Sequence, residues 1–324
     1  MSGQRRMPRH NKVYHVTNRT RSGLPFVPNK FIEGLIGGII SRAAELYLGV
    51  EINAVLFMGN HYHIILAIVG DPVHLSRFMC YFQSELSGII HRLTGVCNES
   101  LWAGKYKSSE LLTADVVMDK LRYLYLNPVK ANLVERAKDW EGLSSWHELN
   151  GGEHRQFKWI SDSHVKRLPR GNFSDRQIED LLEETKKEGR GYRDFNINPF
   201  SWKKLFKETK SRSNEDLYQE LMSGIEEEED DLIEKREQGR KTVFGATKLR
   251  YQSIYRNYKP KKFGKTPTSL STCQLATKIF KETYKDFKEK CLIAYCRWKS
   301  CLSRLELPPG AFYPPLTPMA SALE

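Results

Sequence analysis

Apolar and polar positions alternate at the start of the chain, in KVYHVTNRT at 12–20. Alternation of period two with β-branched residues predicts a strand there. From 29 to 48 the period lengthens: Phe31, Leu35, Ile39, Ala43 and Leu46 recur at helical spacing and predict one buried helix face. In EINAVLFMGNHYHIILAIV, residues 51–69, two apolar runs flank Met58-Gly59-Asn60, the pattern of a β-hairpin. Asp71-Pro72 opens a second helix that runs to about residue 94, with Leu75, Phe78, Met79, Phe82 and Leu86 as its buried stripe. A strand around 103–113 and a helix from about 115 follow. The order β-α-β-β-α-β-α predicts an α+β fold, a ferredoxin-like antiparallel sheet with helices, over residues 1–150.

Beyond 150 the pattern becomes one of charge blocks. Residues 151–234 read as a helical or irregular extension ending in the acidic run 226–231. Residues 235–266 form a basic linker, in which Lys235–Lys265 carries 11 basic residues against one acid, interleaved with Phe244, Tyr251, Tyr255, Tyr258 and Phe263. That composition suits a nucleic-acid strap, cations for phosphates and rings for bases, or equally an amphipathic region paired with the acidic run. Residues 267–305 read as helical and 306–324 as a proline-rich tail. Helices are expected at 174–188, 212–235 and 273–304, giving a mainly helical basic C-terminal extension.

Composition narrows the function classes. At 324 residues, 40% hydrophobic and 28% charged, wholesale disorder and collagen-like chains are excluded. The longest apolar runs, such as Ile64–Val69, are far too short to span a bilayer, and no apolar stretch follows Arg5, Arg6 and Arg9, so neither membrane span nor secretory signal is expected. A net charge of +12 points to an anionic partner, nucleic acid first, with a basic enzyme lacking a polymer partner as the other reading. The six cysteines (80, 97, 273, 291, 296, 301) form no CxxC pair and read as reduced thiols. The five-residue recurrence of the last three suits a buried helix.

Two local patterns carry candidate chemistry. In His61-Tyr62-His63 the strand period points both imidazoles to one face, with Ile65 after them, while Tyr62 and Ile64 point to the other. Paired histidines on an apolar strand are either hydrogen-bonded structural groups or ligands of one divalent cation. In RYLYLNPVKANLV, 122–134, a helix would put Tyr123 and Asn127 about 40° apart on one face and Tyr125 on the other side, with Pro128 disturbing the helix behind them. Taken alone, the two tyrosines are aromatic packing residues and Asn127-Pro128 a helix stop.

Together these segments, with the opening VYHVTNR, the turn MGNHYHI and the Trp102–Ser108 stretch, resemble the REP-associated tyrosine transposases of the single-tyrosine HUH superfamily. The resemblance covers roughly residues 8–150; one departure is Gly59, where that family commonly has proline. It implies a metal site of His61, His63 and Asn127 holding Mg²⁺ or Mn²⁺. It also implies Tyr123 as nucleophile, forming a 5′-phosphotyrosine and a free 3′-hydroxyl on single-stranded, hairpin-forming DNA. Arg5, Arg6, Arg9, Lys12, Arg19, Arg21, Lys105, Lys107 and Arg122 are then candidate DNA contacts, each also readable as a solvated charge. No general base is legible; Glu110 and Asp119 are close in the chain but read more simply as surface or capping residues. The family implies a cytoplasmic, nucleoid-associated bacterial protein; monomer and homodimer both stay open. The alternatives are a catalytically silent hairpin DNA- or RNA-binding protein, and a metal hydrolase using water.

Overall fold

A computed structural model describes residues 6–94, 99–160, 177, 180, 191–245, 248–249, 251–252, 266–301 and 306–311. Strand β1 (Lys12–Arg19) leads to helix α1 (Lys30–Leu46), the hairpin of β2 (Val50–Met58) and β3 (His61–Ile68), helix α2 (Val73–Thr94), β4 (Lys107–Leu111) and helix α3 (Ala114–Tyr125). The order across the sheet is β2-β3-β1-β4, antiparallel throughout, which is the ferredoxin-like arrangement expected. A fifth strand corrects the expectation of an all-antiparallel sheet: β7 (Ser269–Leu270) pairs with β4 in parallel, so the sheet is mixed. β4 is also shorter than the strand expected at 103–113.

Strand alternation divides the apolar residues between two cores. On one face Tyr14, Val16, Phe57, Tyr62, Ile64 and Leu66 meet α1 and α2. On the other Val13, Leu56, Met58, Ile65 and Leu111 meet α3. A bulge between Ile52 and Ala54 keeps β2 in phase with both faces, and the amide of the intervening Asn53 donates to the Asn198 carbonyl (2.8 Å) and Ser201 Oγ (2.9 Å). α1 starts where the Asn29 side chain accepts from the Phe31 amide (2.7 Å). Leu46, expected on its apolar stripe, lies exposed at its last turn.

The compositional change at residue 150 marks no boundary in the packing. Strands β5 (Gln156–Lys158) and β6 (Tyr192–Asp194) pair with each other and lie on α1. A Cβ added at Gly37 would sit 2.3 Å from the Phe157 ring, and one at Gly38 2.4 Å from the Lys158 carbonyl, so only glycine permits that approach. Helix α6 (Asn214–Gln238), opened by a Ser213–Asp216 capping box, buries Leu217, Leu221 and Ile225 against the α3 core. Helix α7 (Gln274–Cys301) buries Phe280, Phe287 and Cys291 but exposes Leu275, Ile279, Leu292 and Ile293. The buried helix inferred from its cysteine spacing is therefore half right, since Cys296 is exposed. The helix expected at 174–188 and most of the basic linker and proline-rich tail fall outside the described residues. Among the described residues no helix is long and apolar enough to cross a membrane.

Phe82, fully buried between Phe57 and Tyr62, should cost about 3–5 kcal/mol on replacement by alanine. Leu275→Ala, at a position 65% exposed, should stay within about 0.5 kcal/mol. Urea unfolding of the two variants checks both.

Candidate active site

The candidate site lies on the sheet face turned toward α3. Antiparallel pairing sets Arg19 opposite His61, Thr17 opposite His63 and His15 opposite Ile65, and the shared side-chain phase brings Arg19, Thr17 and His15 onto the face that carries the two histidines. β4 adds Lys107 and Ser109 to the same face, opposite Thr17 and His15. The hairpin turn that starts β3 is anchored from outside: Thr20 N donates to the Asn60 carbonyl (2.8 Å) and Phe26 N to that of Gly59 (3.0 Å).

Both histidines have one ring nitrogen engaged and the other turned inward. His61 Nδ1 lies 2.8 Å from Asn60 Oδ1, which can only accept, so that nitrogen carries the proton. His63 Nδ1 lies 2.9 Å from His15 Nε2, the two rings stacked within 4° of parallel. The Asn127 amide nitrogen donates to His63 Nε2 at 3.1 Å, which makes Nε2 the bare nitrogen and Nδ1–H the donor to His15. The Nε2 lone pair of His63 thus addresses the Asn127 amide, with the His61 ring centroid 5.2 Å from that of His63, while Asn60 and His15 hold the two rings from behind, as outer partners of metal-binding histidines do.

Burial keeps these rings neutral. Desolvation lowers the His15 pKa to about 3, with the Lys120 charge adding, and the His61 pKa to about 4, with Asn127 opposing and Arg19 adding. It holds His63 well below the usual imidazole range, helped by His15, His61 and Lys120.

Helix α3 ends at Tyr125, Leu126 forms the break, and Asn127-Pro128 begins the short helix α4 (Asn127–Lys130). The break brings the Asn127 side chain down to His63 while Tyr123 stands edge-on to the same ring, with centroids 5.7 Å apart. Tyr123 is 37% exposed. Lys120 and Lys130 place their ammonium groups 4.8 and 5.3 Å from its ring centroid. Tyr125 faces the other way, packed on Trp146 at the start of the short helix α5 (Trp146–Leu149), with its hydroxyl 2.9 Å from Ser145 Oγ, and burial pushes its phenol up.

The structure sorts the candidate DNA-binding cations. Arg19 and Lys107 share the site's face. Arg21 and Lys105 are exposed, and Lys12 lies opposite Ile68 at the far end of β1, about 23 Å along the strand from Arg19. Arg6 stacks on the Tyr106 ring, 3.8 Å from its centroid. Arg9 is not a free phosphate ligand: it pairs through two nitrogens with Glu110, which also accepts from Tyr14. That pair lies on the opposite face of the sheet from the histidines. Arg122 is paired with Asp119 (2.6 Å). Glu110 is thereby committed on the opposite face of the sheet, and Asp119 is engaged by Arg122. Arg5 lies outside the described residues. Sequence reasoning missed His15, Asn60 and Lys120; for His15 the signal was a lone imidazole in the same strand phase as Val13 and Thr17.

Among the described residues no three His, Cys, Asp or Glu side chains form a metal cage. The donor set is two neutral imidazoles and one amide, and it fits a divalent ion that accepts nitrogen and oxygen ligands, Mn²⁺ better than the harder Mg²⁺.

No protein-family model matches the chain, and no curated protein matches it. Among solved structures it is similar to a REP-associated tyrosine transposase bound to a REP hairpin, at 19% identity and TM-score 0.38, over 47% of this chain and 86% of that one. It is also similar to tRNA(His) guanylyltransferase from Saccharomyces cerevisiae, at 13% identity and TM-score 0.30, over 57% and 82%. Both likenesses are distant.

The depressed imidazoles make stability pH-dependent. Unfolded histidines take up protons near pH 6.5 while the folded rings resist to about pH 4 or below, so the unfolded state binds more protons and stability falls as pH drops through that window. His15→Phe should remove one proton from the difference, reducing the slope of unfolding free energy by about 1.4 kcal/mol per pH unit near pH 5. Urea midpoints from pH 7 to 4 measure it.

Proposed function

We propose that the protein is a metal-dependent DNA-strand transferase that cleaves and rejoins single-stranded, hairpin-forming DNA through Tyr123. The observation that carries the reading is the meeting at His63 of the Asn127 amide and the half-exposed Tyr123 ring, with His61 beside it on the same strand face. His61, His63 and the Asn127 carbonyl would hold Mg²⁺ or Mn²⁺. Bound there, the ion supplies Lewis-acid polarisation of the scissile phosphate. Arg19 and Lys107, on the same face, are placed to receive flanking phosphates. Tyr123 Oη attacks phosphorus, the bond to the 3′ oxygen breaks, and a 5′-phosphotyrosine and a free 3′-hydroxyl result. Because the new link is itself a phosphodiester, a second 3′-hydroxyl can reverse the step without ATP. Only one of the helix's two tyrosines is accessible, which supports a single-nucleophile scheme over one using both. The sequence resemblance of MGNHYHI and the Tyr123–Asn127 spacing to the tyrosine transposases points the same way.

Incubation of an end-labelled hairpin oligonucleotide with protein and Mn²⁺ should yield a covalent adduct on a denaturing gel. Tyr123→Phe and EDTA should each abolish it, while Tyr125→Phe retains it at a stability cost of about 1 kcal/mol. Tight binding with no adduct under any metal would make the protein a silent hairpin binder. Cleavage surviving Tyr123→Phe would make it a hydrolase using water.

A further inference from the structure

Lys120 lies one helical turn before Tyr123, and its ammonium is the nearer of the two that stand over the Tyr123 ring. The neighbouring cations are already neutralised. Arg122 holds Asp119 at 2.6 Å and approaches Glu228 at 3.8 Å, and Lys130 holds Glu228 at 2.6 Å. Among the described residues no carboxylate lies within ion-pair distance of Lys120, which is half-buried. A partly desolvated charge without a counter-ion is unfavourable, and the folded chain tolerates it here beside the one exposed phenol of the site. Burial lowers its pKa, with Asp119 opposing and Lys130 adding. Standing 4.8 Å from the centroid of a ring that itself meets His63 edge-on, the ammonium lies at the border of the histidine face, where an anionic reactant would enter.

We propose that Lys120 is a further catalytic residue, whose ammonium binds a non-bridging oxygen of the scissile phosphate and the negative charge that gathers on Tyr123 Oη as it attacks. The role rests on the tyrosine-nucleophile reading above. In the step, the Oη–P bond forms and the bond from phosphorus to the 3′ oxygen breaks. The phenolic proton leaves to water, the departing 3′ oxygen takes one up, and Lys120 stays protonated throughout. A cation over an electron-rich ring is stabilising, and more so as the ring gains phenolate character. The bound phosphate supplies the close ion-pair partner that Lys120 does not have among the described residues.

The test uses the full chain, a hairpin oligonucleotide with a single-stranded flank, and two readouts that fail separately. The first is the single-turnover rate of adduct formation with Mn²⁺. Lys120→Met should lower it at least about 100-fold, and Lys120→Arg should recover part of the loss. Lys290→Met, on the exposed side of α7 and paired with Asp286, should leave it unchanged. The second is the salt dependence of oligonucleotide binding, which needs no chemistry. Lys120→Met should flatten the slope of log affinity against log salt by about 0.7, one single-strand phosphate contact. A Lys120→Met rate within threefold of the parent, with an unchanged slope, overturns the proposal. If the parent protein makes no adduct, the tyrosine-nucleophile reading fails by itself. In that case a flattened slope still supports Lys120 as the phosphate ligand, and an unchanged slope removes that too.

Discussion

Two imidazoles on one face of an apolar strand can be buried only as neutral rings, and each must then find a partner for its N–H. That constraint organises the site. Asn60, fixed in the hairpin turn, takes the proton of His61; His15, one strand away, takes that of His63. With both protons pinned at Nδ1, both Nε2 atoms keep their lone pairs. Nothing in β3 alone would secure this. Its strand period supplies the common face, but the tautomers are set by a turn residue and by a neighbouring strand.

The division between what the sequence revealed and what it did not follows from contact range. Strand alternation from 61 to 65, the hairpin at Met58-Gly59-Asn60 and the angular separation of Tyr123 from Tyr125 are local properties of one element. Each is read from a period of two or 3.6 residues. The His15–His63 hydrogen bond joins positions 48 apart, and the Arg9–Glu110 pair joins positions 101 apart. Such pairs depend on strand order and register, which no local period encodes. Arg9 therefore read as a DNA contact when it is a structural ion pair, and His15 passed as part of a strand. The same reason explains the boundary expected at 150. Composition changes there, yet Phe157 and Phe195 complete one core and Trp202, Leu217 and Leu221 the other.

The acidic run of α6 looked uniform in the sequence, and helical geometry divides it. Glu229 is buried, its carboxylate accepting from Ala137 N and pairing with Arg136, so it fastens α6 to the segment after α4. Glu228, about 100° around the helix, instead meets Lys130 and Arg122 beside Tyr123. Close packing there leaves little freedom: a Cβ at Gly224 would lie 2.8 Å from an Arg122 guanidinium nitrogen. The C-terminal half thus tunes the charge around Tyr123 although none of its residues resembles a catalytic motif. Its Glu228 approaches two of the cations near Tyr123, while among the described residues no carboxylate pairs with Lys120.

The second tyrosine of the helix explains why the first is available. Tyr125 is locked between Trp146 and Ser145, and Ser145 is itself tied to both the carbonyl and the amide of Val55 in β2. This chain of contacts fixes the rotation of α3 relative to the sheet. A turn of the helix by one residue, about 100°, would carry Tyr123 away from His63 and strand the Tyr125 hydroxyl without its partner. The buried Tyr125 hydroxyl therefore holds the exposed Tyr123 ring in place. In this arrangement Tyr-x-Tyr is no redundant pair of nucleophiles: the inward ring sets the register, and the outward ring is left at the edge of the histidine face.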